Sequence, residues 1–371
     1  MCTGAARLNK LCSAFFEFSR SSEMLREHIE GKWIADFVEV FGLCKVQPGE
    51  MAVVLSETQS RSVLAELAEL ALTQMGARVC HVKLVSPRLK SNIALRSTGT
   101  SLALEGMDPI VQALAGSQFI VDCTVEGLLH SPERAALLAK GARIMMISDE
   151  HPEILERVKP SPYLQSKCDI GGKLITDASV MHISSEAGTD LTVSLAGVIG
   201  RGSAGIADKP GSFGYWPAGL CICYPSNGSV NGTLVLDSGD VNLTFKRYLE
   251  SAVTLRIEND YVVAIEGKGV DADLIRSYYA SWNDKDAYAV SHVGWGMAPA
   301  ARWDSMAMYD KRDTNGTELR AFAGNFLFST GANPAAGRFS DCHFDYPMRN
   351  CTVSLDGREV VSKGVLQGDL A

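Results

Sequence analysis

The stretch Met51-Ala-Val-Val-Leu-Ser56, then SRSVLAELAELALTQMG over 60–76, then RVCHVKLV over 78–85, decides the fold class. The first run is short, apolar and valine-rich, which suits a strand buried on both faces of a parallel sheet. In the second, Leu64, Leu67, Leu70, Ala71 and Met75 fall at helical spacing, and Gly76 suits the position after a helix end. The third reads as another strand. Strand, helix and strand in that order form a β-α-β unit.

Working outward, the pattern repeats. Residues 107–116 read as a helix and 118–124 (QFIVDCT) as a strand. Ser131 as N-cap and Pro132 at the first helical position open a further helix. A strand over 143–148 (RIMMIS) and a helix over 151–158 follow. Repeated units predict a parallel sheet with helices on both faces. Ligands of such sheets gather at the carboxyl ends of the strands, where Glu126–His130 (EGLLH) falls. No GxGxxG follows the first strand, which argues against a dinucleotide site. After Pro160-Ser-Pro162 the pattern changes to short strands, at 232–237, 251–258 and 261–265, with one helix over 272–282 and strands again over 289–362. The class predicted is α/β: a Rossmann-like parallel-sheet domain over 1–160, then a strand-rich α+β domain over 161–371.

Composition narrows the function. The chain has 371 residues, 46% hydrophobic and 21% charged, so a disordered or fibrous protein is excluded. Asp+Glu total 43 against 35 Lys+Arg, a net charge of -8 without any basic run, and nucleic-acid binding needs clustered cations. The ten cysteines are scattered with no CxxC pair, and read as mostly buried, reduced thiols of a cytoplasmic protein. The N-terminal segment has no continuous apolar core of the kind a signal peptide needs. No window reaches the roughly 18 apolar residues of a membrane span. Neither a nucleic acid nor a membrane is therefore an expected partner.

Two of the seven histidines keep unusual company. His292 lies in Ser291-His-Val-Gly-Trp-Gly296, among glycines that allow close approach. His343 lies in Asp341-Cys-His-Phe-Asp345. In an extended chain His343 and Asp345 share one face. A His-x-Asp pair with a distant His is the ligand set of a facial triad, which binds Fe(II) and leaves positions open for oxygen and substrate. Taken alone, His-x-Asp also describes a surface histidine near an aspartate.

The stretches Gly324-Asn-Phe-Leu-Phe-Ser-Thr-Gly331 and Asp341-Cys-His-Phe-Asp-Tyr-Pro-Met-Arg-Asn-Cys351 carry more. With Ser291–Gly296, Gly232-Thr-Leu-Val-Leu-Asp237 and Leu129-His-Ser-Pro-Glu133, they closely resemble the 2,5-dihydroxypyridine 5,6-dioxygenases of bacterial nicotinate and hydroxypyridine breakdown. The resemblance runs in order from about residue 45 to the C-terminus and is strongest after residue 230. It implies a mononuclear non-haem Fe(II) enzyme similar in fold to the aminopeptidase T metallopeptidases. Both atoms of O2 would enter the product, N-formylmaleamate. The implied metal ligands are His292, His343 and Asp345, the set the strand argument selects. The implied base is His130, and Arg320 and Ser329 are implied pocket residues. Arg320 could hold an anionic oxygen with its donor fork, and Ser329 could donate to a ring substituent. The resemblance also implies a homo-oligomer.

Two departures stand out. Where the family carries a histidine shortly after Gly-Ser-Asp, this chain reads Gly188-Thr-Asp190 and then Leu191-Thr-Val-Ser-Leu195, and 197–215 match poorly. If that segment lines the pocket, the accepted ring substituents differ. A metallopeptidase of the aminopeptidase T type is the alternative, but it needs two metals. Its second site uses a Glu after Pro-x-Gly, and here Trp216-Pro-Ala-Gly-Leu-Cys221 puts Leu220 there. A regulatory protein on an inactive scaffold is a third reading, disfavoured by the intact ligand set. Among other polar residues, His182 reads as structural, Asp237 and Asp240 as turn residues, and Trp295 and Trp303 as packing, with Trp295 near enough to His292 to wall a pocket. Glu186 and Asp190 are weaker candidates for a pocket lining.

Overall fold

In a computed structural model, residues 28–371 are described apart from 90–92 and 98. Cys2 and Cys12 and the segment read for a signal peptide lie outside the described residues. The opening β-α-β unit is Met51–Glu57, Ser62–Gln74 and Arg78–Leu84. The strands Phe119–Cys123 and Arg143–Ile147 follow, each buried along its whole length, as a sheet covered on both faces requires. The neighbours of Met51–Glu57 are Arg78–Leu84 on one side and Phe119–Cys123 on the other, all parallel. Arg143–Ile147 lies next, and a fifth parallel strand, Phe213–Trp216, closes the sheet. That last strand comes from beyond residue 161, so the chain returns to the first sheet before finishing the second part.

The helix read after His130 begins later than expected. Ser131 donates its hydroxyl to the Glu133 carboxylate, and the N-cap is Pro132, already at helical φ and ψ, ahead of Glu133–Ala139. The cause is local: Ser131 N–H bonds Leu128 C=O, so the turn closes one residue further on. The helix read at 272–282 starts earlier, at Val270, with Asp271 and Asp273 in its first turn, where the helix dipole favours acids.

The strand-rich part forms two large antiparallel sheets. The eight-stranded one carries Asp190–Ser194 and Val230–Leu236 and packs a core that includes Leu191, Val193, Leu234 and Leu255. The five-stranded one runs in the order Arg338–Met348, Phe326–Asn333, Val290–Gly296, Leu220–Cys223, Arg201–Ser203. The loop that follows Phe119–Cys123 brings His130 against His292 and His343 of this second sheet. The described cysteines are all free, and every one but Cys80 is buried. No helix among the described residues is long and apolar enough to cross a membrane.

Candidate active site

Strand register builds the site. Ser329 pairs with Asp345 and Gly331 with His343, so His343 and Asp345 stand two residues apart on one face. Val293 pairs with Phe328, which sets His292 beside Ser329. The ladder between Val290 and Val293 is irregular, and Ser291 turns its hydroxyl to Ala332 C=O at 2.5 Å. Such irregularities re-aim a side chain. Trp295 lies on the opposite face, with its Nε1–H on Met297 Sδ at 3.2 Å, so it is packing and not pocket wall.

Three donor atoms converge from these strands. His292 Nε2 and His343 Nε2 lie 3.3 Å apart. Asp345 Oδ1 is 3.2 Å from His343 Nε2 and 3.6 Å from His292 Nε2. Donors about 2.0–2.2 Å from one ion, at octahedral to tetrahedral angles, sit roughly 2.8–3.6 Å apart. The observed triangle fits one first-row divalent ion.

The hydrogen bonds around it suit metal ligation. Ser329 donates its single proton to Asp345 Oδ1. Its oxygen lies 3.2 Å from His292 Nδ1 and is left to accept from it. With the proton on Nδ1, the lone pair of His292 is on Nε2, facing the other donors. Arg320 Nε donates to Asp345 Oδ2 at 2.5 Å. Burial alone would raise the Asp345 carboxyl, but His343 and Arg320 outweigh it and hold it well below the usual carboxylate range. Burial pushes the His292 ring down to about 3, against the opposing pull of Asp345, so it stays neutral.

His130 reaches this cluster from its own chain. Its ring centroid is 4.2 Å from that of His343, and its donor atom lies within 4.8 Å of those of His292 and His343. The loop that carries it is fixed at the carboxyl end of the parallel sheet. Buried Asp122 accepts from Thr124 N–H, Thr124 Oγ1–H and Leu128 N–H, and Glu57 accepts from Val125 N–H. Gly127 turns at φ +73°, and a Cβ there would lie 2.0 Å from Met146 Sδ. Burial, then the neighbouring His343 and His292, hold His130 well below the ordinary histidine value. His292 and His343 are therefore common to two three-donor sets, one completed by Asp345 and the other by His130.

Arg320 is held by a relay that the sequence does not display. Glu150, just past the strand Arg143–Ile147, accepts N–H bonds from Asn315, Gly316 and Thr317 at 2.8 Å each. These N–H groups open the short helix Thr317–Ala321, whose Arg320 grips Asp345. A carboxylate at a helix start is favoured by the free N–H groups and the dipole.

A narrow cleft beside the cluster is lined by Arg96, Gly99, Glu126, Leu243, Thr244, Lys246, Asn315, Arg320, His343 and Asp345. Its lining takes no residue from 186–215, where the chain departs from the family pattern. Leu191 and Val193 there are core residues. A roomier cavity of about 250 Å³ lies elsewhere, lined by Glu186, Asp237, Asp240, Arg349 and Lys363 among others. It holds none of the histidines. Glu186 pairs with Lys363 at 2.6 Å, and Asp240 accepts from Asp237 N–H and Arg349 N–H as a turn residue does. His182 and Asp190 form a surface pair at 2.8 Å, and Trp303 lies under Arg349. Lys246, in a turn, and Asn315, in the irregular segment before Thr317, also line the cleft, and no sequence motif marks either.

Fold and cluster together define an α/β protein with a histidine-rich centre able to hold one metal ion. The model of the NicX family, 2,5-dihydroxypyridine 5,6-dioxygenase, matches residues 32–368, and the chain belongs to that family of dioxygenases. The 2,5-dihydroxypyridine 5,6-dioxygenase of Pseudomonas putida KT2440 is 36% identical over 333 residues, covering 88% of this chain and 94% of that one. A solved structure of 2,5-dihydroxypyridine dioxygenase from the same strain superposes with a TM-score of 0.85 at 34% identity, covering 91% of this chain and 97% of that one. The aminopeptidase AmpT of Thermus thermophilus shares the fold at a TM-score of 0.55 and 14% identity, covering 89% and 100%. At the position where the metallopeptidase reading requires a Glu, Leu220 is buried in an apolar cluster with Met146, Tyr215 and Leu327. An apolar side chain cannot ligate a hard cation.

Proposed function

We propose that the chain is an Fe(II)-dependent extradiol-type dioxygenase that opens the ring of 2,5-dihydroxypyridine or a close analogue between C5 and C6. N-formylmaleamate is the product, with both atoms of O2 incorporated. The observation that carries this is the triangle of His292 Nε2, His343 Nε2 and Asp345 Oδ1, with sides of 3.2–3.6 Å. These three side chains would hold the ion. Asp345 is preferred to His130 as third ligand because its oxygen lies 3.2 and 3.6 Å from the two histidine nitrogens, a spacing one ion accommodates, and its charge balances a dication. When bound, the ion supplies a Lewis-acid centre and the electrons that activate O2.

The chain's own residues do the rest. His130, neutral and beside the ligands, takes the proton of the 5-hydroxyl at a ring nitrogen. The hydroxyl oxygen is left anionic and the ring more electron-rich. Arg320 holds Asp345 in place and supplies a fixed positive charge where anionic oxygen develops. Ser329 fixes the tautomer of His292. Burial of His292, His343, Asp345 and Ser329 keeps bulk water from the reacting oxygen.

The test is oxygen uptake. Protein loaded with Fe(II) without air, then mixed with 2,5-dihydroxypyridine and O2, should consume one O2 per ring opened. Absence of uptake in protein with full iron content overturns the reading. A closed homo-oligomer is the assembly we expect, and light scattering of the pure chain checks it.

A further inference from the structure

Two charged side chains that line the cleft, Glu126 and Lys246, belong neither to the proposed metal ligands nor to the proposed proton transfer. Glu126 comes from the same loop as His130. Its Oε2 accepts the Gly99 N–H at 3.1 Å. Its Oε1 is buried and has no hydrogen-bond partner among the described residues. Lys246 sits at the turn between the short strands Val241–Asn242 and Arg247–Tyr248, at φ +49°, a left-handed backbone that a lysine seldom adopts. Its ammonium donates to Asn315 C=O at 3.1 Å, which uses one of three protons. Each is the other's leading charge partner, yet Glu126 Oε1 is not hydrogen-bonded to Lys246.

A buried carboxylate oxygen without a donor is costly unless a ligand meets it, and the half-buried ammonium beside it has protons left to give. The ligand that meets both carries N–H and C=O side by side. A 2-hydroxypyridine in water exists mainly as its lactam, with a proton on N1 and a carbonyl at C2. In 5-hydroxy-2-pyridone the 5-oxygen stands across the ring from C2. With that oxygen placed at His343 and Asp345, the lactam edge would face the remainder of the cleft lining, which includes Glu126 and Lys246.

We propose that Glu126 and Lys246 are the specificity residues of this site, Glu126 accepting the N1–H of the pyridone and Lys246 donating to its C2 oxygen. The proposal rests on the function proposed above. It explains how the site tells a hydroxypyridone from a hydroquinone, which has no N–H, and from 3-hydroxypyridine, which has no second oxygen. A buried polar group made to bind a donor rejects a ligand lacking it.

The experiment measures anaerobic equilibrium binding to the Fe(II)-loaded enzyme, for wild type, Glu126→Gln and Lys246→Met. In Glu126→Gln, the Gly99 N–H keeps the amide oxygen, so an NH2 replaces Oε1 and meets the N1–H donor to donor. Affinity for 2,5-dihydroxypyridine should fall roughly 10–100-fold in either variant. KM should rise with it, and kcat should change little. Glu126→Gln should lose nothing further for 5-hydroxy-1-methyl-2-pyridone, nor Lys246→Met for 3-hydroxypyridine, because those ligands lack the matching group. Thermal melting confirms folded variants, and Glu126→Gln alone carries the test if Lys246→Met is unstable. Equal losses for ligand and matched analogue, or affinities within about threefold of wild type, overturn the assignment. If wild type itself neither binds nor turns over 2,5-dihydroxypyridine, the functional reading falls and this inference with it. Wild-type binding with unaffected variants sinks the pair alone.

Discussion

Ser329→Ala separates two roles for one hydroxyl. The sequence suggests that Ser329 donates to a substituent of the substrate ring. In the structure its only proton goes to Asp345 Oδ1, and its oxygen lies 3.2 Å from His292 Nδ1. Removing it deprives a buried carboxylate of a donor and a buried ring nitrogen of its acceptor. A hydrogen bond to a charged group contributes about 1.5–3 kcal/mol, and one between neutral groups about 1 kcal/mol. His292 then divides between two tautomers, one of which carries a proton on the nitrogen that should bind metal. Loss of such an outer partner lowers metal affinity about 10–100-fold. Competition between protein and a chelator for Fe(II), without air, reads that change directly. At saturating iron, kcat should largely recover and the KM for the ring should stay near wild type. A variant with wild-type iron affinity and a raised KM refutes the positioning role and returns Ser329 to the substrate.

His130→Ala should keep its iron and lose turnover by at least about 10²-fold, with partial recovery at higher pH, where the substrate ionises unaided; iron loss would make His130 a ligand instead. Glu150→Ala leaves two buried N–H groups, of Gly316 and Thr317, and the half-buried one of Asn315 without their acceptor, so denaturant unfolding should show a loss of at least about 2 kcal/mol, with reduced activity through Arg320; an unchanged midpoint would contradict the relay. Burial raises the Asp240 carboxyl to about 7; because its folded value lies above its unfolded one, this group's contribution to stability is lost as pH rises from about 4 to about 7. Wild type should therefore lose up to about 3 kcal/mol more than Asp240→Asn between pH 5 and pH 8, and parallel pH profiles of the two would rule this out.

The parallel half of the fold could be read in the sequence because its information is local. A strand buried on both faces, as in Phe119–Cys123 and Arg143–Ile147, must be apolar throughout, and the helices between show their own period. The fifth strand, Phe213–Trp216, escaped because its place beside Arg143–Ile147 is set by tertiary contact across some 70 residues of chain, not by its own four residues. The same distinction divides the site. His343 and Asp345 lie two apart on one strand, so period-two geometry alone puts them together. His292 and Ser329 join them only through ladder register, which no single segment encodes. The Glu150 relay depends on a carboxylate meeting N–H groups 165 to 167 positions away in the chain. Nothing in the run Ser148-Asp149-Glu150 marks one of its two acids as a helix cap and the other, Asp149, as the partner of Arg96. Backbone N–H groups, unlike histidines, carry no sequence signature, so a carboxylate that satisfies them becomes visible only when the chain is folded. Glu126 falls in the stretch that the carboxyl-end rule selects, but what sets it apart there is a buried oxygen without a donor, and sequence records neither burial nor absence.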